Sequence, residues 1–131
     1  MTARRILVAD DSVDAAESIG MLLELRGHEV RLAHTGRQAI EASETYRPDV
    51  VLLDISLPDM SGYEVARRLR SASGGAPPVL VAVTGYGLED DRLQAKEAGI
   101  DLHLTKPVDP ATLMELVGSL GSPLAPPEPR H

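Results

Sequence analysis

The sequence lacks cysteine, tryptophan and phenylalanine, so three tyrosines make up its whole content of Phe, Trp and Tyr. Without cysteine the chain has no disulfide, no thiolate metal site and no cysteine nucleophile, which fits a reducing cytosol. Because the large aromatic residues are so scarce while 43% of the residues are hydrophobic, the core has to be built from Leu, Val, Ile and Ala.

Basic residues are also scarce: 13 Lys and Arg stand against 20 Asp and Glu, for a formal net charge of −7. We therefore expect no nucleic-acid binding by this domain, since a phosphate backbone requires a basic face. Near the N-terminus the apolar run Ile6 to Ala9 is too short for a signal peptide or a membrane span. These features predict a soluble, cytoplasmic domain without membrane insertion.

Apolar runs and helical patterns alternate five times along the chain. An unbroken run such as VVLL, residues 50–53, predicts a strand buried on both faces. Apolar residues at helical spacing lie between such runs, and Thr35, Ser61 and Asp109 are predicted helix caps. The predicted strands cover residues 5–9, 29–32, 49–53, 79–83 and 100–104, and the predicted helices cover 13–26, 35–46, 61–70, 88–98 and 109–120.

Parallel strands joined by right-handed helical crossovers form a doubly wound sheet. With five βα units, the expected α/β fold is a flavodoxin-like (βα)5 with a five-stranded parallel sheet in the order 2-1-3-4-5. Residues 1–120 provide enough chain for one such domain. Residues 121–131 contain four prolines and no apolar periodicity, so we expect a disordered, proline-rich tail or linker there.

Chemically active side chains stand at the ends of four predicted strands. Asp10 and Asp11 end the first, Asp54 the third, Thr84 the fourth and Lys106 the fifth. Each has an ordinary interpretation: Asp favours turns and helix caps (Ser12 is a competing cap), Thr favours strands, and a turn lysine is usually solvated. Because these four strands are neighbours in the predicted sheet, however, their joint placement favours a binding site at its carboxyl edge.

Three crowded carboxylates repel one another unless a cation joins them. Oxygen ligands with no His or Cys nearby suit Mg²⁺, which binds one or two carboxylates together with phosphate oxygens. Asp54 can then act as a nucleophile that forms an aspartyl phosphate. The metal and the Lys106 ammonium would neutralise the phosphoryl oxygens, and the Thr84 hydroxyl could donate a hydrogen bond to one of them.

The motifs LVADDS, VVLLDISLPDMSG, VAVTGYG and LTKP occur in an order and spacing that resemble the receiver domain of two-component response regulators. The resemblance covers Arg5 to about Leu120. It implies that Asp54 is the phosphoacceptor, charged from a phosphohistidine on a histidine kinase or a histidine phosphotransfer domain. It also implies Mg²⁺ bound by Asp11, Asp54 and the backbone carbonyl of Ser56, with Asp10 contributing through water.

The resemblance further implies a switch and a control of phosphoryl lifetime. Lys106 would contact the phosphate, and the Thr84 hydroxyl would move toward it while a side chain on the fifth strand turns inward. That second position is His103, where family members often carry Tyr or Phe; the imidazole could add pH sensitivity, or be a half-exposed strand residue with no switching role. Ser56 and Tyr86 would flank the path of an attacking water and so tune the lifetime of the acyl phosphate.

By the same resemblance the domain assists its own phosphorylation and dephosphorylation but is not a turnover enzyme. It would signal to a downstream target that the sequence does not identify, and a phosphorylation-dependent dimer is compatible with this role. The chain could be a stand-alone regulator, a phosphorelay intermediate or the terminal receiver of a hybrid kinase.

Three other functions compete with this interpretation. A flavin- or nucleotide-binding protein of the same fold would carry a Gly/Ser/Thr-rich loop after the first strand, where this chain has Asp10 and Asp11. A phosphatase that works through an aspartyl phosphate would need an acid–base carboxylate two residues past Asp54, and that position is Ser56. A degenerate receiver that acts only as a docking module would not need the complete set of acidic, hydroxyl and lysine residues.

Overall fold

The computed structural model describes residues 4–72, 78–85, 96–106 and 108–119. Five strands form its central sheet: β1 (Arg5–Ala9), β2 (Glu29–Ala33), β3 (Val50–Asp54), β4 (Val79–Thr84) and β5 (Leu102–Thr105). Their order is β2-β1-β3-β4-β5, and every neighbouring pair is parallel. The predicted flavodoxin-like, doubly wound fold is therefore confirmed.

Helices cover both faces of this sheet. They are α1 (Val13–Leu25), α2 (Gly36–Tyr46), α3 (Gly62–Ala72) and the C-terminal helix (Pro110–Ser119), and residues 96–98 are also helical. The predicted caps are confirmed, since Thr35, Ser61 and Asp109 accept hydrogen bonds from the backbone amides three residues further on. The rest of the predicted fourth helix and the predicted tail lie outside the described residues. Within the described part of the chain, every helix is too short or too polar to cross a membrane.

The sheet separates two apolar clusters, and side chains of the central strands alternate between them. Leu7, Val51 and Leu53 pack with α2 and α3, while Ile6 and Leu52 pack with α1 and the C-terminal helix. Every residue of β3 is buried, as its unbroken apolar run predicted. Each fully buried Leu or Val contributes about 1.5–3 kcal/mol relative to an exposed one, so β3 is held firmly between the two helical layers.

Six strand boundaries differ from the prediction by one or two residues. β2 and β5 each end one residue later, at Ala33 and Thr105, and β3 begins one residue later, at Val50. Asp54 and Thr84 are the last residues of β3 and β4 instead of following them, because the Ile55 and Lys106 amides still donate to the carbonyls of Val83 and Thr84. β5 begins at Leu102 and not at residue 100, since the Asp101 carboxylate accepts the Leu80 amide at 2.9 Å in place of a strand carbonyl. Asp54 and Thr84 therefore belong to the hydrogen-bonded strands themselves, at their last positions.

Candidate functional site

Three carboxylates meet at the carboxyl edge of the sheet, where β1 and β3 end. Asp10, Asp11 and Asp54 each present a potential ligand oxygen, and these oxygens all lie within 4.8 Å of one another. Asp10 and Asp54 are only 4% and 2% exposed, whereas Asp11 is exposed to solvent. The convergence that the strand order predicted is therefore present, and Asp11 is the member that solvent reaches most easily.

Backbone hydrogen bonds fix the position of Asp10. Its amide donates to the Ala33 carbonyl at 2.9 Å, which carries the β1–β2 pairing one residue further. Its Oδ1 accepts the Ser12 amide at 2.9 Å, a turn that Asp forms readily with the residue two positions on. Ser12, and not Asp10 or Asp11, caps α1 by accepting the Ala15 amide. Asp10 is thus free of the capping role that was its alternative explanation.

Both oxygens of Asp54 accept a hydrogen bond. Oδ1 accepts the Ser56 amide at 2.9 Å, and Oδ2 accepts the Lys106 ammonium at 2.8 Å. Lys106 is held next to β4 because its own amide donates to the Thr84 carbonyl at 2.7 Å. Its Nζ also lies 4.0 Å from Asp10 Oδ2. A buried carboxylate needs such partners, and here one backbone amide and one cation supply them.

The charges of this cluster do not balance within the described residues. Three carboxylates face one ammonium, which leaves two negative charges uncompensated when all are ionised. Burial, together with the negative charge of Asp54, raises the pKa of Asp10 against the opposing effect of the Ser12 amide and Lys106. Burial alone would lower the pKa of Lys106, but its hydrogen bond to Asp54 and the surrounding carboxylates outweigh burial and raise it. The arrangement favours the binding of a further cation.

The other predicted site residues have different positions relative to this cluster. Thr84 is half-buried at the end of β4, and Ser56 is exposed while its amide binds Asp54. His103 is exposed on β5, paired in register with Ala82, so the inward position implied for a switch residue is not the one that this structure has. Tyr86 lies outside the described residues.

Sequence reasoning missed the way in which the loop after Asp54 is held. We call residues 55–61 the acceptor loop. The Gly62 amide closes this loop on the Ile55 carbonyl at 2.9 Å, and a Cβ on Gly62 would lie 2.7 Å from Ile55 Cα and 2.8 Å from the Asp54 carbonyl oxygen. Only glycine fits there without a backbone shift. The turn composition of LPDMSG indicated a loop, but it carried no signal of this close approach.

Comparisons with known proteins agree with this geometry. The profile of the family described as response regulator receiver domain matches residues 6–118. The chain is 36% identical to protein PilH of Pseudomonas aeruginosa over 117 residues, which cover 88% of this chain and 96% of PilH. It is 42% identical to the probable transcriptional regulatory protein TcrX of Mycobacterium tuberculosis over 102 residues, 78% of this chain but only 43% of TcrX.

A solved structure gives the same result at the level of the fold. The response regulator receiver domain protein (CheY-like) from Methanospirillum hungatei JF-1 matches with a TM-score of 0.80 and 31% sequence identity. The match covers 89% of this chain and 92% of that chain. The family profile, PilH and this solved structure therefore each match almost the whole described region.

Proposed function

Since this chain belongs to the response regulator receiver domain family, we propose that Asp54 accepts a phosphoryl group from the phosphohistidine of a histidine kinase or a histidine phosphotransfer domain. The observation that carries the proposal is the state of Asp54. This carboxylate is buried, bonded to the Ser56 amide and to Lys106, and surrounded by two further carboxylates. A carboxylate so placed is a nucleophile next to a cation-binding group, which phosphoryl transfer requires.

The residues present fit a bound Mg²⁺. They offer hard oxygen donors and an uncompensated negative charge, and His and Cys are missing from the carboxylate cluster. Asp11, Asp54 and the backbone carbonyl of Ser56 would hold the ion, with Asp10 contributing through water. Bound there, Mg²⁺ would supply charge neutralisation for the phosphoryl oxygens.

The side chains of this protein would carry out the transfer itself. A carboxylate oxygen of Asp54 attacks phosphorus while the bond from phosphorus to the histidine nitrogen breaks, and the imidazole leaves with the electron pair. Lys106, whose Nζ is 2.8 Å from Asp54 Oδ2, is close enough to follow the negative charge onto the phosphoryl oxygens. The Thr84 hydroxyl would donate a hydrogen bond to one of those oxygens, so that phosphorylation is communicated to β4.

Loss of the phosphoryl group by attack of water would reset the domain, with Ser56 and Tyr86 beside the path of that water. The domain would thus assist its own phosphorylation and dephosphorylation without being a turnover enzyme. His103 is exposed in this structure, and its inward turn upon phosphorylation belongs to the proposal. So do a cytoplasmic location, a downstream partner and a phosphorylation-dependent dimer.

Intact mass spectrometry tests the central step. The protein is incubated with Mg²⁺ and an acyl phosphate donor such as acetyl phosphate, and wild type is expected to gain the mass of one phosphoryl group. Asp54→Asn should abolish this gain, because an amide oxygen is a poor nucleophile. Asp49→Asn is the matched control, since Asp49 directly precedes the opposite end of the same strand and its side chain accepts the Arg5 amide. No mass gain in wild type, or a gain that survives Asp54→Asn, contradicts the proposal; the first outcome would favour a domain used only for docking.

A further inference from the structure

Asp59 lies in the acceptor loop, which leads into α3, but its side chain binds the amino end of α2. Its Oδ1 accepts the Gly36 amide at 2.7 Å and its Oδ2 accepts the Arg37 amide at 3.0 Å. The first amides of a helix have no partner within the helix, and a negative charge there is favourable. The two backbone hydrogen bonds lower the pKa of Asp59, so the carboxylate is ionised near neutral pH. Asp59 therefore adds a second cap to α2 from 22 residues further along the chain.

An apolar contact lies next to this bidentate cap. Gly36, the first residue of α2, is buried against Met60, and a Cβ at position 36 would collide with the Met60 side chain and lie 2.9 Å from Val65 Cγ2. Asp59 and Met60 are consecutive, so the polar and the apolar contact hold the same part of the acceptor loop. The loop is thus joined to α2 by two adjacent side chains.

Helix α2 does not need Asp59 in order to begin. Thr35 Oγ1 already accepts the Gln38 amide at 3.0 Å, which is the usual side-chain cap at this position. Asp59 binds the two amides before Gln38, so the two caps act on different groups of the same helix end. Asp59 differs from Thr35 because its hydrogen bonds also fix the acceptor loop, to which Asp59 belongs.

The acceptor loop carries Ser56 between two fixed points. On one side, the Ser56 amide binds Asp54 Oδ1 at 2.9 Å. On the other side, Asp59 is only three residues away, a stretch of chain that spans about 10 Å at most. Leu57, between them, is buried in the core. With both ends fixed, the peptide units that carry the Ser56 amide and carbonyl have little freedom to rotate.

We propose that Asp59 is a positioning residue for the Asp54 site: by bridging the acceptor loop to the first amides of α2, it holds the Ser56 amide toward Asp54 and the Ser56 carbonyl toward a bound divalent cation. The inference rests on the proposed function, because it gives Ser56 the role of a metal ligand. Groups that orient a metal ligand from outside often change affinity about 10-fold or more when removed. Asp59 acts through three residues of backbone, so we expect a loss of about threefold to tenfold.

The test compares Asp59→Ala with Thr35→Ala, which removes a cap whose hydrogen bond lies within the same helix end. Thermal melts first show that each variant is folded. Hydrogen exchange of the Ser56 and Gly62 amides is measured by NMR without metal, and the Mg²⁺ dissociation constant is measured by calorimetry. Asp59→Ala should speed the exchange of both amides and weaken Mg²⁺ binding, whereas Thr35→Ala should leave both close to wild type. Asp59→Asn, which keeps one acceptor oxygen, should give intermediate values.

Equal effects of Asp59→Ala and Thr35→Ala would overturn the inference, because they would reduce Asp59 to a second helix cap. Wild-type exchange and Mg²⁺ affinity in Asp59→Ala would overturn it as well. If wild type itself binds no Mg²⁺ and takes up no phosphoryl group, the proposed function fails and the role of Asp59 toward a cation fails with it. Exchange at Ser56 then still decides whether Asp59 orders the loop, so the two failures are distinguishable.

Discussion

Replacing Asp10 by Asn should make the metal-free protein more stable at neutral pH. Asp10 is buried beside Asp54, and burial together with that neighbouring charge raises its pKa. Asn has nearly the same shape, and its amide oxygen can still accept the hydrogen bond that the Ser12 amide now donates to Oδ1. The substitution therefore removes one of three crowded negative charges and keeps the Ser12 hydrogen bond, while it gives up the attraction between Asp10 and Lys106.

The size of this effect follows from the distances. Oxygens of Asp10 and Asp54 are at most 4.8 Å apart, which at an effective dielectric constant of about 20 gives a repulsion of about 3.5 kcal/mol. Lys106 Nζ lies 4.0 Å from Asp10 Oδ2, and at the same dielectric constant it attracts the Asp10 carboxylate with about 4 kcal/mol. Solvent screening reduces this attraction to roughly half, because the Lys106 side chain is 37% exposed. Asp10 therefore feels a net repulsion of about 1.5 kcal/mol, which Asp10→Asn relieves. The hydrogen bond from the Ser12 amide is weaker to a neutral amide oxygen than to a carboxylate, which reduces this gain by about 0.5–1 kcal/mol. The expected gain is about 0.5–1 kcal/mol, or roughly 2–5 °C in melting temperature.

Thermal unfolding of both proteins, measured without divalent cations over a range of pH, is the assay. The pKa of Asp10 in the folded chain is raised above its ordinary value of 3.8, so the folded state holds this proton more tightly than the unfolded state. As the pH falls through the raised pKa, wild type therefore gains stability relative to Asp10→Asn. The extra stability of Asp10→Asn is expected in full near neutral pH, and it is lost below pH 3.8. Added Mg²⁺ should raise the melting temperature of wild type and so reduce the difference in melting temperature between Asp10→Asn and wild type.

Asp49→Asn serves as the control for the substitution itself. Asp49 is at the other edge of the sheet and accepts the Arg5 amide at 2.9 Å, so its loss should not stabilise the protein. If Asp10→Asn melts at or below the wild-type temperature at pH 7 without metal, the crowded carboxylates do not destabilise the fold and the electrostatic reasoning is wrong.

Two further substitutions test other parts of the site. Gly62→Ala should cost about 1–3 kcal/mol in urea unfolding, because its Cβ would press on Ile55 Cα and the Asp54 carbonyl. Gly85→Ala is the matched control, since a Cβ there meets nothing within 4 Å; equal stability of the two variants would contradict the close approach. Tyr86→Ala should change the rate at which the phosphorylated protein loses its added mass, because Tyr86 is expected to shield the acyl phosphate from water. An unchanged rate would remove Tyr86 from the mechanism.

The sheet could be predicted because its signals are local and strong. The buried runs of β1, β3 and β4 do not alternate, and the crossover rule then fixes which strand ends meet. These signals are enough to predict that Asp10, Asp11, Asp54 and Lys106 meet at one edge of the sheet. Strand ends were less predictable: at Asp101 a side-chain carboxylate replaces a backbone acceptor, and the residue pattern does not show this.

The acceptor loop could not be predicted, since its contacts join residues far apart in the chain. The segment LPDMSG, which contains Asp59, has the composition of a turn. Its sequence does not indicate that the Asp59 carboxylate binds the amides of residues 36 and 37. Arg4 is a similar case, because this charged residue directly before β1 is only 5% exposed. The role of His103 stays a prediction: the resemblance implies that its side chain turns inward during switching, and the imidazole is exposed in this structure.

The contact between Lys106 and Asp54 also bears on which reagents the protein would react with. At rest the ammonium compensates much of the carboxylate charge, so an uncharged electrophile meets a poor attacking group. Under the proposed function, a phosphorylated donor would bring negative charge of its own and would draw the ammonium toward itself as it arrives. The donor would thereby free the Asp54 carboxylate from Lys106 at the moment of reaction. A small neutral metabolite would not draw Lys106 away, and it would therefore leave Asp54 unmodified.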